Sequence, residues 1–268
     1  MKSGAAEIDT VVAVPAPLAA ALARPDDVAL FVDFDGTLAP IVDDPDAARP
    51  LAGSVDLLDR LAGRLGVVGV VSGRPVSFLQ AHLPESLALA GLYGLESRVA
   101  GRRRDHGQGG CWREVIEDLG AHAEAAGPAD MRVERKDLSI TLHYREHPEI
   151  EDEVGAWAAA EAARSGLEAR PARRSWELHP PIAVDKGTAV ADLVGPATTV
   201  CFMGDDHGDL PAFVALDRLA EAGASTLRVV VDSDEVDADL LAAADLVVDG
   251  PGGVQSLLAG ILALLPAD

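Results

Sequence analysis

Short apolar segments that end in polar residues recur along this chain of 268 residues and restrict the folds that it can adopt. Residues 28–32 form the first such segment, and Asp33 follows it directly. The others cover residues 66–71, 87–90, 198–203, 227–231 and 246–248. Uninterrupted apolar runs of this length are typical of strands that are buried on both faces of a parallel sheet. Helical patterns separate them, for example over residues 54–65, so we predict an α/β fold with a doubly wound, Rossmann-like sheet.

The middle of the chain has a different pattern. Residues 113–126 and 149–165 look helical, whereas residues 132–144 alternate in part, as a half-exposed antiparallel strand does. Residues 175–179 suggest another strand, and the glycine-rich residues 101–110 predict a loop. We therefore predict an inserted α+β cap domain. The predicted division is an N-terminal extension over residues 1–26, core segments over 27–103 and 183–268, and the cap over 104–182.

The chain is strongly acidic, with a formal net charge of −22. A surface of that sign repels a nucleic-acid backbone, so we expect no nucleic-acid partner. We identify no signal peptide and no apolar run of the ~20 residues that a membrane span needs, and we expect no membrane partner. Cys111 and Cys201 do not make a disulfide framework. We expect reduced thiols in a cytoplasmic protein, with a monomer favoured.

Two carboxylates follow the first predicted strand, in the motif Asp33-Phe-Asp-Gly-Thr37. The carboxyl ends of parallel strands meet in one crevice, where ligands bind. There Asp33 can act as a nucleophile, and Asp35 can protonate the leaving oxygen and later deprotonate water. The turn at Gly36 and Thr37 offers backbone N–H groups that can hold phosphate oxygens. The motif predicts phosphate removal through an aspartyl-phosphate intermediate.

Three further motifs lie at predicted strand ends or helix starts. Ser72-Gly73-Arg74 follows a strand and precedes a helix, where a hydroxyl group suits phosphate binding. Lys186 can neutralise a phosphoryl group and the attacking carboxylate together. Asp205, Asp206 and Asp209 follow another strand, and several acids in such a position indicate a site for a hard cation such as Mg²⁺.

These four motifs, in this order, resemble the haloacid dehalogenase superfamily of phosphatases over almost the whole chain. The resemblance implies Asp33 as the nucleophile and Asp35 as the general acid and base. It also places Ser72 and Lys186 on the phosphate, and the inserted domain resembles the larger α+β cap of that superfamily. The implied ligands of a Mg²⁺ cofactor are Asp33, the backbone carbonyl of Asp35 and Asp205, supported by Asp206 or Asp209.

Within that superfamily, the cap is similar to that of the trehalose-6-phosphate phosphatase family. The similar segments are Glu134-Arg-Lys136, residues 139–145 and Glu177-Leu-His-Pro180. A disaccharide offers only hydroxyl groups, so its site needs charged groups that hydrogen-bond to them. The resemblance thus implies a small-molecule sugar phosphate as the substrate. The implied sugar-binding residues are Glu134, Lys136 and Glu177, with Arg145 and His143 as further candidates.

Several positions depart from the pattern of that family. Tyr93 replaces a histidine in Gly91-Leu-Tyr-Gly94, and His179 replaces an arginine. The fourth motif continues with Gly208, and with Leu210 and Pro211 where acids are usual. These departures leave the core chemistry intact and put the identity of the sugar in doubt.

Hydrolysis of trehalose 6-phosphate is therefore the main expectation, and three alternatives stay open. One is a phosphatase for another sugar phosphate, such as that of sucrose, mannosylglycerate or a hexose. A phosphomutase would need extra cations in the cap, which Arg132, Arg135, Lys136 and Arg145 could supply. The last is a non-catalytic protein that binds sugar phosphates.

Overall fold

Strands and helices alternate through the computed structural model, which describes residues 12–42, 44–172, 174–232, 236 and 238–266. The strands are β1 (Val28–Val32), β2 (Val67–Val71), β3 (Ala88–Gly91), β4 (Glu96–Val99), β5 (Arg102–Asp105), β6 (Arg132–Lys136), β7 (Ser139–His143), β8 (Glu168–Ala172), β9 (Ser175–His179), β10 (Thr199–Gly204), β11 (Ser225–Asp232) and β12 (Leu246–Asp249). The helices are α1 (Ala16–Ala21), α2 (Ser54–Ala62), α3 (Val76–His82), α4 (Arg113–Ala126), α5 (Glu151–Ser165), α6 (Lys186–Leu193), α7 (Leu210–Glu221), α8 (Ala238–Ala242) and α9 (Gly250–Leu264).

An eight-stranded sheet forms the core, in the order β12-β11-β10-β1-β2-β3-β4-β5. The strands from β12 to β3 are parallel, and β4 and β5 extend the sheet as antiparallel strands. Helices α2 and α9 cover one face, where Leu58 and Leu258 are fully buried. Helices α6 and α7 cover the other face, with Val190 and Leu216 in its core. The predicted doubly wound α/β sheet is confirmed.

The cap is a second sheet, with four antiparallel strands in the order β6-β7-β9-β8 and with helices α4 and α5. Alternate side chains of its strands, such as Ile140, Leu142 and Leu178, pack with Ile116 of α4 and Val154 of α5. Because side chains alternate across a strand, the intervening residues face the other way. These residues are Glu134, Lys136, Ser139, Thr141, His143, Glu177 and His179.

Some sequence expectations about the cap are confirmed and others are wrong. The helix over residues 113–126 and the strand over residues 175–179 are confirmed, and the second helix begins two residues later than predicted, at Glu151. Residues 132–144 form the hairpin β6–β7 rather than a single strand. The turn at Asp137-Leu138 interrupts the alternation, and pairing across it satisfies the backbone groups of both strands.

The predicted loop over residues 101–110 is wrong in part, because it contains β5. This strand reads Arg-Arg-Arg-Asp and is exposed throughout; among the described residues it pairs only with β4, at the edge of the core sheet. Charged side chains are common on edge strands, where they oppose pairing with other chains, so an apolar pattern was absent. We keep the four-part division of the chain as a proposal; its boundary between residues 103 and 104 falls within β5.

Three further expectations concern the N-terminal extension, the cysteines and membrane spans. Helix α1 lies in the predicted N-terminal extension, whose residues 1–11 are outside the described part of the chain. Neither Cys111, which is exposed, nor Cys201, which is buried, forms a disulfide. None of the helices in the described ranges has the length and apolarity that crossing a bilayer requires.

Helix α9 offers a matched test of the core packing. Leu258 is fully buried and Leu264, on the same helix, is 52% exposed. We expect Leu258→Ala to lower the free energy of unfolding by about 2–5 kcal/mol, because it leaves a cavity under the sheet. Leu264→Ala should change it by less than about 0.5 kcal/mol. Denaturant unfolding of both variants measures the difference, and equal losses would contradict this packing.

Candidate active site

Asp33 stands at the carboxyl end of β1, in the centre of the core sheet. Its backbone N–H donates to the carbonyl of Met203 in the neighbouring β10, at 2.9 Å, which extends the parallel ladder to this residue. Its side chain is buried, and one carboxylate oxygen, Oδ2, lies 3.1 Å from Nζ of Lys186. Burial raises the pKa of Asp33 well above its ordinary value, although the charge of Lys186 opposes this shift.

A tight turn after Asp33 brings the β1 and β10 loops into contact. Gly36 has φ +78°, in the left-handed region that favours glycine. A Cβ atom there would lie 2.0 Å from Oδ2 of Asp205, so a larger residue would displace that carboxylate. The hydroxyl of Thr37 donates to Oδ1 of Asp205 at 3.2 Å. The predicted residues Thr37 and Asp205 therefore meet at this turn.

Asp209 organises the loop after β10. Its carboxylate accepts hydrogen bonds from the backbone N–H groups of Asp205, at 3.0 Å, and Asp206, at 3.2 Å. It also accepts one from Nζ of Lys186 at 2.7 Å. Burial, offset in part by Lys186, raises the pKa of Asp209 to about 6. Sequence reasoning gave Asp209 only a supporting part; four residues of spacing could not show that it binds both the loop and the lysine.

Lys186 is positioned by the start of α6. Asp185 caps this helix by accepting a hydrogen bond from the N–H of Thr188 at 2.7 Å. The lysine side chain points into the crevice and is only 3% exposed. Burial lowers its pKa, but Asp209 and Asp33 outweigh that effect, and the pKa is raised overall. Lys186 is therefore a permanent cation between two carboxylates.

Three of these acids form a site that fits a metal ion. Carboxylate oxygens of Asp33, Asp205 and Asp209 lie within 4.8 Å of one another, and all three residues are buried. Lys186 supplies one positive charge for them, which leaves an excess of negative charge among buried groups. An all-oxygen donor set is the kind that Mg²⁺ prefers.

Arg74 joins Asp35 of the core to the cap. Its guanidinium donates to both carboxylate oxygens of Asp35, at 2.7 and 2.8 Å, and stacks 4.5 Å from the ring centroid of Phe78. Another nitrogen, Nη1, is 3.5 Å from Glu134 in the cap. Arg74 and Glu134 therefore form an ion pair but no hydrogen bond, since Nη1 has no hydrogen-bond partner in the described residues.

Glu134 lies on the inner face of the cap, which is the face of its sheet opposite to α4 and α5, and its carboxylate is ionised. His143 Nε2 lies 2.8 Å from its carboxylate. Burial alone would raise the pKa of Glu134, but the hydrogen bond with His143 and the charges of Lys136 and Arg74 lower it to about 2. The carboxylate therefore stays an acceptor at neutral pH.

Glu177 is the second cap carboxylate of the site, and it is 3% exposed. It accepts a hydrogen bond from the hydroxyl of Ser139 at 2.7 Å, and Nζ of Lys136 lies 3.5 Å away. A cavity of about 1110 Å³ extends between the cap and α6 and α7. Glu177 and Lys186 both line this cavity, so a ligand there can contact the cap and the core together.

The remaining predicted residues differ in their positions. Ser72 follows β2, and its hydroxyl accepts from the N–H of Arg74 at 3.2 Å, with Gly73 between them. Arg145 lies beyond the end of β7, and no ion pair or hydrogen bond in the described chain joins it to the other predicted residues. Tyr93, noted only as a departure from a pattern, lines the cavity beside Glu177 and Lys186.

A mostly parallel core sheet with Asp33 at its centre, an acidic loop, a buried lysine and an inserted α+β cap agree with the haloacid dehalogenase-like fold that the motifs predict. Solved structures have the same architecture. One described as a trehalose-6-phosphate phosphatase related protein gives a TM-score of 0.75 at 23% identity, over 88% of this chain and 97% of that one. The C-terminal domain of Candida albicans trehalose-6-phosphate phosphatase gives 0.72 at 20% identity, over 95% and 98%.

Sequence comparison identifies the family. The family model described as trehalose-phosphatase matches residues 31–246. The chain belongs to the trehalose-phosphatase family, which confirms the resemblance inferred from its motifs.

Curated relatives are longer than this chain. The trehalose-phosphate phosphatase of Mycobacterium ulcerans is 32% identical over 255 residues, which cover 87% of this chain and 62% of that protein. That of Mycobacterium avium is 35% identical over 207 residues, covering 70% and 51%. The chain thus spans between about half and two thirds of the length of these relatives.

The acidic cluster predicts how metal and pH affect stability. The pKa of Asp209 is about 6 in the folded protein against an ordinary 3.8, so between these values the folded state keeps a proton that the unfolded chain releases. Its contribution to stability is present below about pH 4 and is lost as pH rises through 6. Bound Mg²⁺ should offset this loss, because it binds the ionised carboxylates.

Thermal unfolding with Mg²⁺ or EDTA, at pH 5 and pH 8 and constant ionic strength, measures this effect. We expect Mg²⁺ to raise the Tm by several degrees at pH 8 and by less at pH 5. Asp205→Asn should abolish most of the gain. Equal gains at both pH values, or an unchanged gain in the variant, would contradict the metal site.

Proposed function

We propose that this protein hydrolyses trehalose 6-phosphate to trehalose and phosphate, with Mg²⁺ and through an aspartyl-phosphate on Asp33. The observation that supports this most directly is the position of Asp33, buried 3.1 Å from Lys186 and beside the acidic cluster. The inner face of the cap adds charged side chains suited to a polyhydroxylated leaving group. The names of the Mycobacterium relatives agree with this substrate.

In the first step, a carboxylate oxygen of Asp33 attacks phosphorus. The bond between phosphorus and the sugar oxygen breaks, and its electron pair stays on that oxygen, which takes a proton from Asp35. In the second step, Asp35 removes a proton from water, which attacks phosphorus and releases Asp33 as a carboxylate. Lys186 supports both steps, since its charge favours the ionised nucleophile and stabilises the transferring group.

Asp33, Asp205 and the backbone carbonyl of Asp35 would hold the Mg²⁺, with Asp209 beside them. When bound, Mg²⁺ screens the repulsion between the nucleophile and the phosphate and orients both. For the phosphate oxygens we propose the backbone N–H and hydroxyl of Thr37, and Ser72 with Gly73.

For the sugar we propose Glu134, Lys136 and Glu177, because they lie on the cap face that points toward the core. The guanidinium of Arg74 is paired with Asp35 and Glu134, so we propose that it supports substrate binding by positioning these two carboxylates. Arg145 stays a candidate on sequence grounds alone. A monomer in the cytoplasm remains our proposal for the state of the protein.

A phosphatase for another sugar phosphate is the second candidate. The observation that favours it is the position of Tyr93 and His179, two departures from the family pattern that both line a small cavity with Glu177. It requires the same core chemistry and a different fit in the cap.

Asp33→Asn tests the nucleophile. We expect turnover to fall by at least about 10³-fold, since an amide cannot form the covalent intermediate. The Tm measured in EDTA should not fall, because one of three crowded, buried carboxylates is replaced. Phosphate release is measured with Mg²⁺ on trehalose 6-phosphate, sucrose 6-phosphate, glucose 6-phosphate and an aryl phosphate. Retained turnover by the variant, with deamidation excluded by mass spectrometry, would refute the aspartyl-phosphate. A wild-type preference for another sugar would select the second candidate.

Glu134→Ala tests the sugar site. We expect KM for trehalose 6-phosphate to rise by about tenfold or more, because an ionised acceptor of sugar hydroxyls is lost. KM for an aryl phosphate should change much less. Glu153→Ala, at an exposed position of α5, is the matched control and should leave both constants unchanged. Equal effects of Glu134→Ala on both substrates would remove Glu134 from the sugar site.

A further inference from the structure

Tyr93 occupies a strained turn that is hydrogen-bonded to Ser72-Gly73-Arg74, the proposed phosphate loop. Its backbone has φ +58° and ψ +21°, in the left-handed region that non-glycine residues rarely adopt. Two hydrogen bonds hold this turn in place: the N–H of Tyr93 donates to the carbonyl of Ser72 at 3.1 Å, and that of Leu92 donates to the carbonyl of Arg74 at 3.0 Å. Strain of this kind is concentrated at functional sites, so the strained backbone suggests a functional role for the Tyr93 side chain.

The phenol ring lies directly on Gly73. A Cβ atom at Gly73 would be 2.8 Å from both Cζ and Oη of Tyr93, so the hydroxyl end of the ring occupies the space above the phosphate loop. Gly73 is thus required for close approach, and the tyrosine hydroxyl is placed next to the proposed phosphate site.

The hydroxyl of Tyr93 also reaches the cap. The ring and Glu177 line the same small cavity between core and cap. The negative charge of Glu177, together with burial, raises the pKa of the phenol well above its ordinary value. The phenol therefore keeps its proton and acts as a donor. With Ser139 and Lys136, it is the third group that faces Glu177, and the only one of the three from the core.

Tyr93 and Glu177 line the large cavity together with Lys186, and both also line the small cavity that contains His179. A ligand that fills the large cavity can therefore contact Lys186, the phenol of Tyr93 and the carboxylate of Glu177. The hydroxyl thus lies between Gly73 of the proposed phosphate site and Glu177 of the proposed sugar site.

We propose that Tyr93 is a specificity-determining residue, whose hydroxyl fixes Glu177 of the cap relative to the phosphate loop for binding a sugar hydroxyl; this inference rests on the proposed function. Tyr93 takes no part in bond breaking. Its loss should therefore weaken binding of sugar phosphates and leave cleavage of an ester without a sugar almost unchanged.

Tyr93→Phe is the direct test, because it keeps the ring on Gly73 and removes only the hydroxyl. We expect KM for trehalose 6-phosphate to rise about tenfold with kcat within twofold, and the constants for an aryl phosphate to stay within twofold. The dissociation constant of trehalose 6-sulfate, a sulfate ester used as a non-reacting probe, should rise by a similar factor in calorimetry.

Tyr144→Phe is the matched control. Tyr144 is the other tyrosine of the chain, and its hydroxyl also donates to a carboxylate, Glu151, at 2.9 Å, but neither residue lines the large cavity. Its kinetic constants should equal those of the wild type. The Tm of both variants shows whether folding is retained.

Two results would overturn the inference while the proposed function stands. In one, the wild type prefers trehalose 6-phosphate and Tyr93→Phe has the same constants. In the other, Tyr93→Phe loses activity equally on both substrates, which would indicate a structural role in the phosphate loop. A wild type that hydrolyses no sugar phosphate would contradict the proposed function, and this inference with it.

Discussion

The ion pairs of Lys186 are the interaction on which the rest of the site depends. Three buried carboxylates repel one another, and such a cluster is stable only with compensating charge. Lys186 provides it at 3.1 Å from Asp33 and 2.7 Å from Asp209. Since Asp209 also accepts the N–H groups of the loop after β10, Lys186, Asp33 and that loop form one connected unit.

The cap is coupled to this unit at two points, and each joins a core side chain to a cap carboxylate. Arg74 binds Asp35 and faces Glu134, while Tyr93 lies on Gly73 and faces Glu177. In the proposed function, recognition of the leaving group is thus connected to the acid that would protonate it and to the loop that would hold the phosphate. This connection gives a physical basis for using binding energy at the sugar to favour the reaction at phosphorus.

The sequence predicted the core of the fold and its motifs for clear reasons. Strands buried on both faces are continuous apolar runs, and the polar residues that end them identify the edge where they meet. Strand β5 was not predictable in this way, because an exposed edge strand needs no apolar pattern. The hairpin β6–β7 was recognised only as alternating sequence, since its turn at Asp137 has no glycine or proline signal.

The groups available to the site can be identified from the chain alone: an aspartate after β1, a second aspartate two residues later, a lysine at a helix start and acids after β10. Those features are local, because spacing along one strand or turn fixes them. The bond of Asp209 with Lys186, the bridge of Arg74 between Asp35 and Glu134, and the shared cavity of Tyr93 and Glu177 arise only when the chain folds. These contacts join residues on different strands and domains, so packing, rather than spacing in the chain, sets their distances.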